Sequence, residues 1–153
     1  MHVRLAPIRS GIGENMEDRY LFKAKRVYNG GKWVQGYYVK GLDMYGKEVH
    51  LIFEPNTMFY SSGETGGWYK VDPTTICRCT GLRSKNGKLI WEKDIIRCKL
   101  GKVIVLWDEA QWKVKKCDEV FIWYKDLYFW VSDRNAEVIG NIFDNKELLE
   151  SEG

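Results

Sequence analysis

The segment YLFKAKRVYNGGKWVQGYYV, residues 20–39, decides the fold. Two runs rich in β-branched and aromatic residues, 20–28 and 32–40, flank the tripeptide Asn29-Gly30-Gly31. Because Asn and Gly tolerate positive φ, a tripeptide of this kind between two such runs predicts a β-hairpin. Short runs of the same composition, separated by turn residues, continue along the rest of the chain.

The remaining runs predict a mainly β protein. Turns are expected at residues 43–46 and 84–87, and a loose loop at 61–67, where SSGETGG contains no apolar residue. Between the turns we expect strands at residues 48–53, 74–79, 88–91, 95–100, 102–107, 111–116, 120–124 and 127–131. This spacing predicts a small SH3-like or related β-barrel built from hairpins.

The two ends of the chain differ from its middle. Residues 1–17 show neither a helical nor a strand period, so we expect a flexible tail, with translation starting at Met1 or at Met16. Residues 18–153 are then one domain, as expected for a chain of 153 residues. Asp144 and Glu147 form a capping-box pattern, which predicts a short C-terminal helix at about residues 144–150.

Composition excludes several classes of protein. The 24 Lys+Arg and 21 Asp+Glu residues leave a net charge of only +3, short of the excess that marks a dedicated nucleic-acid binder. A hydrophobic content of 44% indicates a folded rather than a disordered chain. The sequence contains neither the run of about 18 apolar residues that a membrane helix needs nor a signal peptide, so we expect a cytoplasmic protein without membrane contact.

The four cysteines are Cys77, Cys79, Cys98 and Cys117. Cys77 and Cys79 lie two residues apart, on one face of a predicted strand, but the chain has no Cys-x-x-Cys pair to complete a metal site. We therefore expect reduced thiols in a β core, and we predict neither a metal nor another cofactor.

Three stretches resemble the YopX family of small phage and prophage proteins. TGLRSKNGKLIWEKDII, residues 80–96, resembles the family's signature of Thr-Gly-Leu, a Lys-Asn-Gly turn and an acidic-x-Asp-Ile ending, with Lys93 where a glycine is common. Residues 20–39 resemble the hairpin at the N-terminal end of the family's sequence. EVIGNIFDNKELL, residues 137–149, resembles the C-terminal end of that sequence. The resemblance implies a largely β, barrel-containing fold and a phage or prophage origin, and it supplies no biochemical activity.

Catalytic candidates are few. Glu92 and Asp94, two residues apart on an extended segment, can face the same way and serve as acid and base, with His50 as a third ionisable group. The alternative is that the two carboxylates cap a turn and that His50 is an ordinary strand residue. Because the sequence lacks a nucleophile motif and a phosphate-binding loop, we predict no catalytic residue.

Cations lie beside aromatic residues at three places in the sequence. Such clusters suit stacking on nucleic-acid bases and contacts to phosphates. The candidate binding residues are Lys23, Lys25, Arg26, Arg83, Lys85, Trp91, Lys93 and Trp112. The alternative is that most of the seven Trp, nine Tyr and six Phe fill the core or form cross-strand pairs.

Binding to another protein is the function that we expect first, since Tyr, Trp and Arg concentrate binding energy at interfaces. The segment YKDLYFW, residues 124–130, either packs in a homo-oligomer or forms a core strand pair around a turn at Lys125-Asp126. We expect a non-enzymatic phage or prophage accessory protein that binds a macromolecule, foremost a host or phage protein, in the cytoplasm of the bacterial host. Nucleic-acid or nucleotide binding through the basic and aromatic residues is the alternative, and an enzyme using Glu92 and Asp94 is the third hypothesis.

Overall fold

A computed structural model of the chain describes residues 18–55, 67–117, 125–128 and 136–150. Its strands are β1 (Phe22–Lys25), β2 (Trp33–Leu42), β3 (Glu48–Phe53), β4 (Trp68–Lys70), β5 (Cys77–Arg83), β6 (Leu89–Trp91), β7 (Asp94–Cys98), β8 (Gly101–Asp108), β9 (Gln111–Lys116), β10 (Lys125–Asp126) and β11 (Glu137–Asn141). The first sheet has six strands in the order β4-β3-β2-β1-β5-β6, and the second has five in the order β10-β9-β8-β7-β11. Every strand pair is antiparallel.

The predicted N-terminal hairpin is confirmed. β1 and β2 pair with Ala24 opposite Val34, and both side chains are buried. Asn29, Gly30 and Gly31 between them all have positive φ, at 59°, 72° and 66°. The turn therefore forms for the reason that the sequence indicated, namely that these residues accept left-handed backbone.

Gly36 allows β2 to pair with strands on both of its sides. It lies opposite Phe22 of β1, while the next residue, Tyr37, lies opposite Phe53 of β3. A Cβ atom at position 36 would lie 1.9 Å from the carbonyl oxygen of Phe53. Only glycine therefore permits this close approach of two backbones.

The predicted barrel is wrong, because the described strands form two open sheets. The chain changes sheets at Glu92 and Lys93. The Glu92 N–H donates to the carbonyl oxygen of Arg78 in the first sheet, whereas the Lys93 N–H donates to Val105 in the second, over 2.9 and 2.7 Å. Lys93 has a φ of 67°, a conformation that favours glycine. As a result β7 pairs with β8 and β11 and does not close the first sheet.

An aliphatic core joins the two sheets. Leu82 and Ile90 of the first sheet pack with residues of the second, namely Ile96, Cys98, Val103, Val105 and Val114, together with Leu127 and Ala136. Trp91 is the only buried aromatic side chain among the residues described. The other described rings border the core or lie in solvent, and Trp107 and Trp112 form a cross-strand pair with ring centres 5.0 Å apart.

Most of the predicted strands are confirmed, and two of them, at 48–53 and 111–116, keep their predicted bounds. The strand predicted from residue 74 starts later, because Pro73–Thr75 form a 3-10 turn in which the Asp72 carboxylate accepts the Thr74 N–H. Lys125–Asp126 form a strand where a turn was predicted, and Leu127 and Tyr128 are helical where a strand was predicted. The predicted tail at 1–17, the strand at 120–124 and nearly all of the loop at 61–67 lie outside the described residues.

The predicted C-terminal helix is also wrong. Only a 3-10 turn forms, at Lys146–Leu149, and the side chain of Asn145, the residue before it, makes no capping hydrogen bond. Asp144, the predicted cap, is bonded elsewhere, to Lys25 and Trp33. In the described parts of the chain, no helix is both long and apolar enough to cross a membrane.

Candidate functional site

Four of the predicted binding residues, Lys23, Lys25, Trp91 and Lys93, meet where the two sheets join. The Lys23 ammonium lies 4.7 Å from the centre of the Trp33 ring and 5.4 Å from that of Trp91. Lys25 lies 5.4 Å from the same Trp33 ring, and Lys93 lies 5.3 Å from the Phe143 ring. The four residues belong to separate clusters in the sequence, and the structure brings them together with Trp33 and Phe143, which were not candidates.

The Lys23 ammonium is neutralised inside the protein. It forms an ion pair with Asp94 Oδ1 at 3.4 Å, with the two side chains only 12% and 4% exposed. The other Asp94 oxygen accepts the Trp91 N–H at 2.9 Å. Burial raises the pKa of Asp94 to about 6, against the opposing effect of Lys23. This pair joins β1 of the first sheet to β7 of the second, so we assign Lys23 a structural role.

Lys25 is neutralised by the C-terminal segment. Asp144 accepts hydrogen bonds from Lys25 Nζ at 2.5 Å, from the Trp33 indole N–H at 2.7 Å and from the Asn141 amide at 3.1 Å. The hydrogen bond from Lys25, followed by that from Trp33, lowers the pKa of Asp144 to about 2. Because Phe143 also packs edge-on against Trp33, the segment after β11 is fastened to the N-terminal hairpin.

The other four predicted binding residues do not join this cluster. The Arg26 guanidinium lies over Tyr69 at 4.2 Å. Arg83 pairs with Asp18 at 3.1 Å and donates to the carbonyl oxygen of Gly87. Lys85 is exposed in the turn after β5, and Trp112 stacks edge-on with Trp107. The structure therefore does not unite the predicted basic and aromatic residues in one open surface.

The three ionisable groups considered for catalysis are held apart by different partners. His50 bonds to the Tyr38 hydroxyl through Nδ1 at 2.7 Å and to Glu48 through Nε2 at 2.9 Å. Asp94 pairs with Lys23. Glu92 accepts the backbone N–H of Arg78 at 3.3 Å. The residues that the structure describes therefore do not assemble the acid, base and imidazole into a common site.

Two buried thiols lie side by side along β5. Burial raises the pKa of Cys77 to about 12 and that of Cys79 to about 11, so the reactive thiolate is scarce at neutral pH. Cys77, Cys79 and Cys98 are all buried, which confirms the prediction of core thiols for these three residues. Within the described ranges, no three His, Cys, Asp or Glu side chains are grouped so that they could hold a metal ion.

An exposed apolar surface that the sequence analysis missed lies on the hairpin of β2 and β3. Its residues, here called the hairpin surface, are Tyr37 and Val39 on one face of β2, Leu42 on the opposite face, and Met44 and Tyr45 in the turn. Leu42 is 72% exposed, and Met44 and Tyr45 are each 87% exposed. The signal that could have revealed it is a pair of large apolar residues inside a turn, where polar residues are usual.

The turn of this hairpin is held in one conformation by Asp43. Its carboxylate oxygen accepts the N–H groups of Tyr45 and Lys47, both at 2.9 Å. The Gly46 N–H donates to the carbonyl oxygen of Asp43 at 3.0 Å, and Gly46 has a φ of 77°. Hydrogen bonds, foremost from the Lys47 backbone, lower the pKa of Asp43, so it is ionised at neutral pH. Met44 and Tyr45 are therefore presented to solvent by an ordered turn.

A second feature, here called the indole cleft, lies between the two sheets. It has a volume of about 380 Å³ and is lined by Arg19, Phe22, Arg78, Cys79, Thr80, Trp107 and Trp112. Trp112 was a predicted binding residue, whereas Arg78 and Trp107 were not. The cleft depends on contacts between β1, β5, β8 and β9, which no local pattern in the sequence reveals.

These features define a class of protein: an antiparallel two-sheet β protein with exposed apolar side chains on one of its hairpins. The profile of the YopX protein family matches residues 21–150, and the chain belongs to the YopX family. This match confirms the resemblance seen in the sequence. A search of the curated proteins found no match.

Proposed function

We propose that this YopX protein is a non-catalytic accessory protein of a phage or prophage, acting in the host cytoplasm by binding a host protein through the hairpin surface. The observation that carries the proposal is the ordered turn that holds Met44 and Tyr45 in solvent, each 87% exposed. A large apolar side chain in water is unfavourable for an isolated protein, and contiguous exposed patches mark interaction sites.

The location of exposed apolar residues supports this surface over others. Of the ten large hydrophobic side chains that are exposed among the described residues, eight lie within residues 20–45. The two outside that range are Trp107 and Tyr128. Five of the eight belong to the hairpin surface, and the other three, Tyr20, Val27 and Tyr28, lie before β1 or between β1 and β2. Half of the exposed large apolar side chains therefore lie on one hairpin, and a few such residues can supply most of the binding energy of an interface.

The ordered turn also favours tight binding. A surface that is already in its bound conformation loses less conformational entropy on association. Asp43 fixes the backbone of the turn through the Tyr45 and Lys47 N–H groups, so Met44 and Tyr45 are positioned before a partner arrives. Tyr and Met are both enriched at protein interfaces.

The charges beside the hairpin surface indicate an apolar partner. Lys40 and Glu48 form a cross-strand ion pair at 2.8 Å, so they neutralise each other at the base of the turn. Binding through this surface should therefore depend weakly on salt. Binding to nucleic-acid phosphates, in contrast, weakens steeply as salt increases.

The proposal is tested by affinity capture from host cells with and without nuclease, followed by titration of each purified, captured protein. The test variant carries Met44→Ser and Tyr45→Ser, and the control is Tyr128→Ser, which removes an exposed ring from outside the hairpin. We expect one nuclease-resistant host protein whose affinity falls at least about tenfold in the test variant and less than about twofold in the control.

Three outcomes would contradict the proposal. Capture that disappears with nuclease would indicate nucleic acid as the partner. Equal affinities of the test and control variants would place the interface elsewhere. A wild-type dimer in sedimentation that becomes monomeric in the test variant would show that a second copy of the chain covers the hairpin surface.

A further inference from the structure

We propose that the indole cleft binds a nucleotide unit, a planar base that carries a phosphate. The cleft is distinct from the hairpin surface, so this inference goes beyond the proposed protein binding. It is also distinct from the cluster of Lys23 and Lys25, whose cations are neutralised by Asp94 and Asp144.

The charge of the cleft favours an anion. Two guanidinium side chains, those of Arg19 and Arg78, line it, and no acidic residue is among its described lining residues. Arg78 is exposed and forms no ion pair with any residue that the structure describes; its guanidinium carbon lies 5.7 Å from the Trp107 ring centre. The planar guanidinium group suits bidentate binding of phosphate oxygens.

The aromatic side chains that line the cleft favour a ligand whose remaining part is planar. Phe22, Trp107 and Trp112 contribute rings to the cleft, and Trp107 is 39% exposed. Stacking of bases on aromatic side chains contributes to the affinity of complexes with single-stranded nucleic acids, whatever the base. A phosphate without a base would leave these rings in water, so the full chemistry of the cleft fits a base together with its phosphate.

The cleft is also ordered before a ligand arrives. The Thr80 hydroxyl donates to the carbonyl oxygen of Ile90 at 2.7 Å and accepts the Leu82 N–H at 3.0 Å. Gly81 leaves room for Arg19, since a Cβ there would lie 2.7 Å from Arg19 Cγ. A volume of about 380 Å³ is within the range of small-molecule sites, roughly 300–1,000 Å³.

The experiment is a titration of the full chain at low salt with four probes: 5′-AMP, adenosine, ribose 5-phosphate and a ten-residue oligothymidylate. Binding is followed by the indole N–H signals in two-dimensional NMR. We expect 5′-AMP to bind at least about tenfold more tightly than adenosine or ribose 5-phosphate, and to shift the Trp107 and Trp112 signals. If oligothymidylate shifts the same indole signals and binds more tightly than 5′-AMP, the natural ligand is single-stranded nucleic acid. If it binds more weakly than 5′-AMP, the natural ligand is a free nucleotide.

Three variants distinguish binding in the cleft from non-specific electrostatic attraction of the ligand to the protein. Arg78→Gln and Trp107→Leu should each weaken nucleotide binding about tenfold. The matched control is Arg97→Gln, which removes an exposed strand arginine that does not line the cleft, and it should change affinity less than about twofold. The proposal is overturned by equal losses in Arg78→Gln and Arg97→Gln, by equal affinities for 5′-AMP and ribose 5-phosphate, or by no shift of the wild-type indole signals at about 10 mM nucleotide.

Discussion

The first sheet and the turn between β2 and β3 expose five large apolar side chains, whereas Trp107 is the only exposed one on the described strands of the second sheet. The hairpin of β2 and β3 exposes Leu42, Met44 and Tyr45, and four of the six residues of β3 are half-buried. In the second sheet Ile95, Ile96, Val103, Val105 and Val114 are all at most 1% exposed. Both sheets contribute to the core, since the first sheet has buried clusters of its own around Ile52 and Trp91. The difference between the sheets therefore lies in the exposed apolar side chains and not in the presence of a core.

The two sheets are joined by contacts of different kinds. Aliphatic packing of Leu82 and Ile90 against the second sheet is one, and the buried pair of Lys23 and Asp94 is another. The bonds from Asp144 to the first hairpin are the third. Substitutions in each kind of contact can therefore show how far the stability of the hairpin of β2 and β3 depends on the second sheet.

The largest effect is expected for Asp94→Ala. The change leaves the Lys23 ammonium buried without a counter-ion and the Trp91 N–H without its acceptor. Removing one partner of a buried pair typically costs 3–5 kcal/mol, so we expect a loss of about 4 kcal/mol in the free energy of unfolding, measured by urea denaturation.

The double variant Lys23→Met with Asp94→Ala is the control for that experiment. It removes the unpaired charge as well, and an apolar replacement of a buried pair is often nearly neutral. We expect the double variant to be more stable than Asp94→Ala alone. If it were less stable, the junction would depend on the two side chains separately and not on their pairing.

The next effect compares the two sheets directly. Ile96 is 1% exposed in the joint core, and Leu42 is 72% exposed on the hairpin surface. Ile96→Ala should lower the free energy of unfolding by about 3 kcal/mol, because it removes buried surface and leaves a cavity. Leu42→Ala should change it by less than about 0.5 kcal/mol. Similar losses for the two variants in urea denaturation would show that the hairpin is packed against part of the chain.

A third, smaller effect concerns the path of β2. Gly36→Ala should destabilise the protein by about 2 kcal/mol, because its Cβ would meet the Phe53 carbonyl and force β2 and β3 apart. Gly41→Ala on the same strand is the control, since its Cβ would meet no atom within 4 Å. Hydrogen exchange should show lost protection in β3 for Gly36→Ala only. Protection lost equally in both variants would contradict the close approach at Gly36.

Local features of the fold could be predicted from the sequence, and the arrangement of the sheets could not. The hairpin at residues 20–39 follows from Asn29 and its glycines, which adopt positive φ as expected. The change of sheet depends on Lys93, a non-glycine residue with a φ of 67°, and on its bond to Val105. The positive φ has a local sign only in the resemblance, where a glycine is common at position 93, and the long-range partner has none.

The candidate site shows the same limit. The proximity of Trp91 and Lys93 within one segment could be predicted from the sequence, whereas the meeting of Lys23 with Trp33 and Trp91 could not. The carboxylates that neutralise the two lysines could not be predicted from the sequence. Asp94 lies 71 residues away from Lys23, and Asp144 lies 119 residues away from Lys25. The hairpin surface was missed because residues 43–46 were interpreted only as a turn, where polar residues are usual.

The smallest effect tests how the C-terminal segment is fastened to the first sheet. Asp144→Asn keeps an acceptor for the Trp33 indole but loses the charge that pairs with Lys25. We expect a loss of about 1 kcal/mol in the free energy of unfolding at pH 6, measured by urea denaturation. Asp126→Asn is the control, because this exposed carboxylate contacts only the nearby Tyr128 N–H among the described residues.

The pH dependence of the difference in unfolding free energy between the wild type and Asp144→Asn distinguishes the effects of Asp144 and Asp94. The pKa of Asp144 is lowered to about 2 from 3.8, so its stabilisation is present above about pH 4 and is lost as the pH falls through 2. The pKa of Asp94 is raised to about 6, so the stabilisation that protonated Asp94 provides is lost as the pH rises through 6. Because Asp94 is present in both the wild type and Asp144→Asn, this change cancels when the stabilities of the two proteins are compared. The difference between these two proteins should therefore be constant from pH 7 to 5 and shrink from pH 4 towards 2. A difference that changed around pH 6 instead would show that Asp144 acts through Asp94, and that the two contacts between the sheets are coupled.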